Sequence, residues 1–296
     1  MIPNQPVKVD VEEAQDLANI KTSKIKIGLD DIDNFIKDEI KDSFYMKFSN
    51  GDFEKSWSEY KSIPVFLAKG NIYDLVPEGI SKETHYVLRL VATWHVEKAL
   101  NALKFDTDND DNLKIDTSMG NIGTAGRIAK IWAGNTLDSE NIREYGDGRF
   151  TKMPRLAAFP ASEKDRKRPV TVNIENAGIG SVCSHHFLPF SITNDNNSRI
   201  VISYIPKDKL LGLSKIGRFV EWCLNRPSLQ EEVTALIHEK ISKIAETEDV
   251  YVGLFNIVHS CETTRGAKQY STTTTEDYSG VFDDPIMRST ILDGIK

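Results

Sequence analysis

A chain of 296 residues, 40% hydrophobic and 27% charged, has the composition of a folded globular protein, with room for one large domain or a core domain plus an appended one. Its net charge of −7 disfavours broad binding to nucleic acid or to an anionic membrane, but leaves open a phosphate-bearing small ligand wherever basic residues gather locally. Three widely spaced cysteines make no disulfide framework, and no run approaches the roughly 20 apolar residues of a membrane span. Met1-Ile2-Pro3-Asn4-Gln5 lacks the charged and then apolar regions of a signal peptide. The expected setting is therefore cytoplasmic and reducing, where thiolates are available to a metal.

Residues 1–82 carry no readable chemical motif and are taken as an N-terminal extension of unknown role, mainly helical, distinct from a catalytic unit over 83–296. Within them Leu29, Ile32, Phe35, Ile36 and Ile40 recur at helical spacing among Asp and Lys. From Glu83 a long helix is predicted, with Tyr86, Val87, Leu90, Val91, Trp94, Ala99, Leu100 and Leu103 on one apolar face. The acidic run over 106–111 lacks the Gly and terminal Glu of a calcium loop and reads as solvated. A second helix follows, with Thr124 as N-cap and Gly134 as stop. Val170, Val172 and Ile174 alternate with polar residues as a half-buried strand. Further strands are expected over 187–192 and 199–205, separated by an Asn-rich turn at 194–197. Two helices come next, one over 214–224 and one capped by Ser228. Val250, Val252 and Leu254 begin another strand, residues 272–275 a further one, and Asp284-Pro285 opens a last short helix. Strands, two helices and strands again argue for an α+β domain with antiparallel pairing.

The chemistry concentrates in Cys183-Ser184-His185-His186-Phe187-Leu188-Pro189-Phe190 and in His259-Ser260-Cys261, which hold two of the three cysteines and three of the six histidines. Cys183 and His186, three apart, can face one metal ion. Cys261 is the candidate third ligand of a zinc site whose fourth position stays open for water. Taken singly, each cysteine is as readily a small buried hydrophobe, and each histidine a satisfied core group.

Six collinear strings set these residues in a family. After the Cys-Ser-His-His run come Tyr204-Ile205-Pro206, Leu211-Gly212-Leu213-Ser214-Lys215-Ile216-Gly217-Arg218, Arg226-Pro227-Ser228-Leu229-Gln230-Glu231, His259-Ser260-Cys261 and Arg265-Gly266. In order and spacing they resemble GTP cyclohydrolase I, with weaker echoes around Arg127 and Pro154 and in Gly280-Val281-Phe282. The resemblance covers about residues 83–296. It implies the tunnelling fold, antiparallel strands with two helices packed on one face, and a homo-oligomer built as a toroid of stacked rings, a decamer, with active sites between subunits. It also implies zinc as cofactor, GTP as substrate, and no nucleic acid or membrane partner. The implied reaction hydrolyses GTP at C8, releases formate and recloses to 7,8-dihydroneopterin triphosphate for pterin or 7-deazaguanine synthesis.

Under that resemblance Cys183, His186 and Cys261 hold zinc, which lowers the pKa of a water to about 7. His259 protonates N7 of the purine and His185 is the second acid/base, roles that suit imidazole near neutral pH. Glu231, with Gln230 beside it, accepts from guanine N1–H and the 2-amino group, a donor pair adenine lacks. Glu232, on the same turn, reads as a solvated helix residue. Ser214, Lys215, Arg218, Arg265 and Arg127 meet the triphosphate. The chain departs from the family at Ser184, where an acidic residue is usual, at Glu262, where an apolar one is usual, and in 196–199. Rivals are a same-fold enzyme with another pterin product and a catalytically silent nucleotide binder. A reductase of the fold would need a free nucleophilic cysteine, but Cys223 sits on an apolar helix face.

Overall fold

The computed structural model describes residues 29–63, 80–105, 123–133, 153–175, 180–191, 197–264 and 271–295. The acidic run 106–111, Gly134, most of the turn at 194–197 and Arg265 lie outside these described residues.

Four helices form a layer at the N-terminal side. Ile36, Ile40 and Phe44 fall every fourth residue along α1 (Leu29–Lys47), so they stack on one face and bury it. Asp52 caps α2 (Phe53–Ser62), its carboxylate accepting from Lys55 N at 2.9 Å. Phe53 and Trp57, one turn apart on α2, close with α1 onto Val87, Leu90 and Val91 of α3 (Lys82–Ala102). The helices before residue 83 thus share a core with the helix after it. Three expected apolar-face residues depart from this packing, Ala99 among them, which is exposed on α3. Phe35 is 55% exposed, with its ring edge on Trp94, and Leu103 is 70% exposed past the end of α3.

α4 (Gly123–Ala133) lies along α3. Thr124 is inside α4 rather than at its cap, because the helix already begins at Gly123. The two helices are tied by buried His85, whose Nε2–H donates to Ala133 O at 2.7 Å. Burial holds His85 down to about 4, with Arg89 pushing the same way and the Ala133 bond opposing. An unfolded chain protonates this ring below its ordinary 6.5 while the folded chain refuses the proton, so its contribution is complete above 6.5 and is lost as pH falls toward 4. The expected loss is about 3 kcal/mol. Denaturant midpoints followed from pH 7 to pH 4.5 should drop more for the wild type than for His85→Gln, which keeps a donor without the titration.

The rest is a sheet with helices on one face and a C-terminal segment on the other. β2 (Val170–Glu175), β5 (Arg199–Tyr204) and β8 (Val250–His259) pair antiparallel, and β9 (Thr273–Ser279) adds to β8. The far end of β8 pairs instead with β4 (Leu188–Ser191), which continues to β3 (Gly180–Cys183) and β7 (Pro227–Ser228). The β3–β7 pair is parallel, an exception to the expected antiparallel pattern. A small separate ladder joins β1 (Ala158–Pro160) to β6 (Lys209–Leu211).

Strand alternation sends Ile200, Ile202, Val252 and Leu254 toward α5 (Leu213–Leu224) and α6 (Gln230–Ala245), where they meet Phe219, Val220 and Ile237 in the main core. The intervening Val201 and Tyr251 face the other way and pack on Phe282 and Ile291, the latter on α8 (Pro285–Asp293). Between Leu254 and Ile257 the β8–β9 register shifts by one residue, and Asn256 there has φ 55°. Asp284 caps α8, accepting from Ile286 N at 2.9 Å, with Pro285 at the first position as expected. Ser228, expected as a cap, is instead spent in β7, where its backbone pairs with Cys183. Leu229 takes the cap position of α6, and Glu232 reaches back to accept from Leu229 N and Ser228 Oγ, each at 3.1 Å. Glu232 is therefore a capping carboxylate rather than a solvated one. Among the described residues no helix is long and apolar enough to cross a membrane.

Candidate active site

Four strand ends meet at one edge of the sheet. Cys183 ends β3, and residues 184–187 turn the chain into β4, with Phe187 N donating to Cys183 O at 2.8 Å. Cys183 is buried while His185, His186 and Phe187 are exposed on the turn. Phe187 has φ 53°, a left-handed conformation that costs a bulky residue roughly 1–2 kcal/mol. It is held from the helical layer. Trp132 Nε1 of α4 donates to Phe187 O at 3.4 Å, and the two rings meet edge-on at 5.1 Å. On the other flank Ser184 N donates to Ser228 O at 3.1 Å, which prolongs the β3–β7 pairing and brings the first turn of α6 beside the hairpin.

β8 delivers His259 opposite Phe190 of β4, and their rings stack at 4.9 Å. Cys261 follows two residues on, half-buried in the short helical turn α7 (Ser260–Thr264), which packs against β4. Cys183 pairs with Leu188 at the start of β4, so the two thiols come in on the two sides of that strand. Gln230, the first residue of α6 and 1% exposed, meets His259 Nε2 through Oε1 at 2.7 Å. Its amide nitrogen donates to Thr273 O at 3.3 Å and to Thr275 Oγ1 at 3.0 Å. Glu231 beside it is exposed, and Glu262 accepts from the Ser271 hydroxyl. Burial holds His259 below the ordinary imidazole range, while the carboxylates of Glu262 and Glu231 pull it back up.

The expected phosphate-binding residues that the structure describes are spread over two helices. Ser214 and Arg218 are exposed and Lys215 half-buried in the first half of α5, whose other end leads through Arg226 to β7 and so to β3. Twelve helical residues separate the two ends by about 18 Å. Arg127 is exposed on α4, one to two turns before Trp132. Cys223 is wholly buried in the main core, and burial pushes its thiol up to about 12, so it is no nucleophile. Two thiols and an imidazole are a zinc-type donor set. Among the described residues, however, no three Cys, His, Asp or Glu side chains already converge as a closed ligand group. The contacts of Trp132, Phe187 and the Thr273–Thr275 segment carry no sequence signal, because each joins residues tens of positions apart.

An antiparallel sheet with two helices packed on one face, and a Cys/His hairpin turn set beside the start of one of them, defines a protein of the tunnelling-fold class. Comparison with known proteins narrows this. A sequence profile of GTP cyclohydrolase I matches residues 121–296. The GTP cyclohydrolase 1 of Flavobacterium johnsoniae is 32% identical over 203 residues, spanning 68% of this chain and 78% of that protein. That of Vibrio cholerae is 28% identical over 204 residues, 68% of this chain and 82% of that protein. That of Baumannia cicadellinicola is 38% identical over 190 residues, 64% of this chain and 74% of that protein. The chain belongs to the GTP cyclohydrolase I family.

Proposed function

We propose that the chain hydrolyses GTP at C8 of the purine, releases formate and rearranges the opened product to 7,8-dihydroneopterin triphosphate. The supporting observation is the register that carries the Cys183–His186 turn, the start of α6 and the end of β8 to one edge of the sheet. Cys183, His186 and Cys261 would hold zinc there. When bound, zinc supplies Lewis acidity and a water that ionises near neutral pH.

The remaining roles fall to side chains. Glu231, exposed on the first turn of α6, accepts from N1–H and the 2-amino group of guanine, a pair of donors that a carboxylate matches and an adenine edge cannot offer. His259, braced between Phe190 and Gln230, gives the proton that N7 needs to make C8 electrophilic. His185, on the exposed turn, serves the proton transfers of the opened ring. The triphosphate needs several polar and cationic groups, and Ser214, Lys215 and Arg218 lie in the first half of α5, away from the end that leads through Arg226 to β7. They complete a site in which a second copy presents the start of its α5 to the catalytic edge of the first, so the functional unit is a homo-oligomer. Arg127 and Arg265 add charge to the same pocket.

The test is direct. Purified protein incubated with GTP and zinc, then oxidised, should yield neopterin fluorescence, and formate should appear in equal amount. Metal analysis should give about one zinc per chain, the count a single three-ligand site allows. Cys261→Ala should lose most of that zinc and Cys223→Ala should keep it. Equal loss from both would remove the ligand assignment.

A further inference from the structure

The hydrogen bonds around Gln230 determine more than its own position. Thr273 O can only accept, so the donor at 3.3 Å from it must be the amide nitrogen of Gln230, which excludes the flipped amide. The same nitrogen donates to Thr275 Oγ1 at 3.0 Å. Thr234 Oγ1 donates to Gln230 O at 2.8 Å, so the 2.7 Å contact between the two threonines is closed by the Thr275 proton. Each hydroxyl donates once and accepts once, and the chain is consistent in one direction only. Gln230 Oε1 then faces His259 Nε2 at 2.7 Å as a pure acceptor, so the ring must carry hydrogen on Nε2.

From this geometry we infer that Gln230 is a positioning residue, which fixes His259 as the Nε2–H tautomer and leaves Nδ1 as the ring nitrogen that exchanges the substrate proton. The inference rests on the role given to His259 above and deepens it. In the step itself the Nδ1–H bond breaks as the N7–H bond forms, and the ring returns to the neutral Nε2–H form that Gln230 holds. Gln230 is thereby separated from Glu231. One residue orients the acid, and its neighbour reads the base. Gln230 is 1% exposed and both hydrogens of its amide are engaged, so it has no donor left and little surface to offer guanine.

The experiment uses the full-length, zinc-loaded protein labelled with nitrogen-15 histidine, and solid-state spectra assign the His259 signals by their loss in His259→Gln. The expected neutral ring has hydrogen on Nε2 and a bare Nδ1 in the wild type, with a tautomer mixture in Gln230→Leu. Gln230→Leu should lower kcat on the order of 10- to 100-fold while KM for GTP stays within about threefold, as for loss of an orienting bond and not of a substrate contact. Thr275→Val, a milder change that removes the hydroxyl holding the amide, should shift both readouts the same way by less, and it decides the matter if Gln230→Leu does not assemble. A neutral wild-type ring with hydrogen on Nδ1 overturns the inference. So does a Gln230→Leu enzyme with raised KM and unchanged kcat. A wild type that leaves GTP intact would sink the functional reading, while the nitrogen spectra would still decide the tautomer.

Discussion

Replacing His259 with alanine is expected to slow GTP turnover by about 10² to 10⁴, the usual range for a general acid. The block should fall before any ring opens, because without a proton on N7 the C8 position is not electrophilic. His185→Ala should behave differently. Its substrate should open and a formamidopyrimidine nucleotide should accumulate, since His185 is assigned to later transfers. Neither residue is a proposed ligand, so zinc per chain should match the wild type in both. A quenched time course resolved for formamidopyrimidine nucleotide, neopterin triphosphate and formate separates the two patterns. Full activity in a zinc-loaded His259→Ala protein would defeat the mechanism. His259 is also part of the packing, stacked on Phe190 and bonded to Gln230, so assembly of the variant must be confirmed by sedimentation.

Glu231→Gln should lower turnover of GTP by about a hundredfold or more, because an amide of the same shape presents a donor where guanine also presents donors. The control is one residue away. Glu232 accepts from Leu229 N and Ser228 Oγ, and glutamine retains an acceptor oxygen for that cap. Glu232→Gln should therefore leave kcat/KM nearly unchanged and cost at most about 1 kcal/mol of stability, the typical worth of a cap. Comparable losses in the two variants would mean that guanine is read somewhere else.

What is legible in the sequence follows the range of the interaction that decides it. The cap of α8 is set by Asp284, Pro285 and Ile286, three adjacent residues, and can be read locally. The core faces of β2 and, Phe35 aside, of α1 follow from their periods. Ser228 shows the limit, since a local cap signal yields to pairing with Cys183, 45 residues earlier. Glu232 then takes a job that its neighbours alone do not announce. The Cys183–His186 turn and the His259–Cys261 run are visible as strings of chemically capable residues. The amide that orients His259 is not, because its partners lie 29, 43 and 45 positions away. The cations of α5 are visible as residues too, but the path from that helix through Arg226 to β7 and the pairing of β7 with β3 are not.

The register shift at Asn256 changes the phase of β8. Up to Leu254 the even-numbered residues point toward α5 and α6 and the odd-numbered ones point away. Beyond the shift Ile257 joins the helix-side core, so from there on the odd numbers face the helices. His259 inherits that parity and comes to lie over Gln230. On an uninterrupted strand it would emerge on the opposite face, the one that carries Tyr251 further back along β8, and Val258 would occupy its place. One supernumerary residue, accommodated by a left-handed Asn256, thus acts as an inversion between the half of the strand that makes the core and the half that carries the acid.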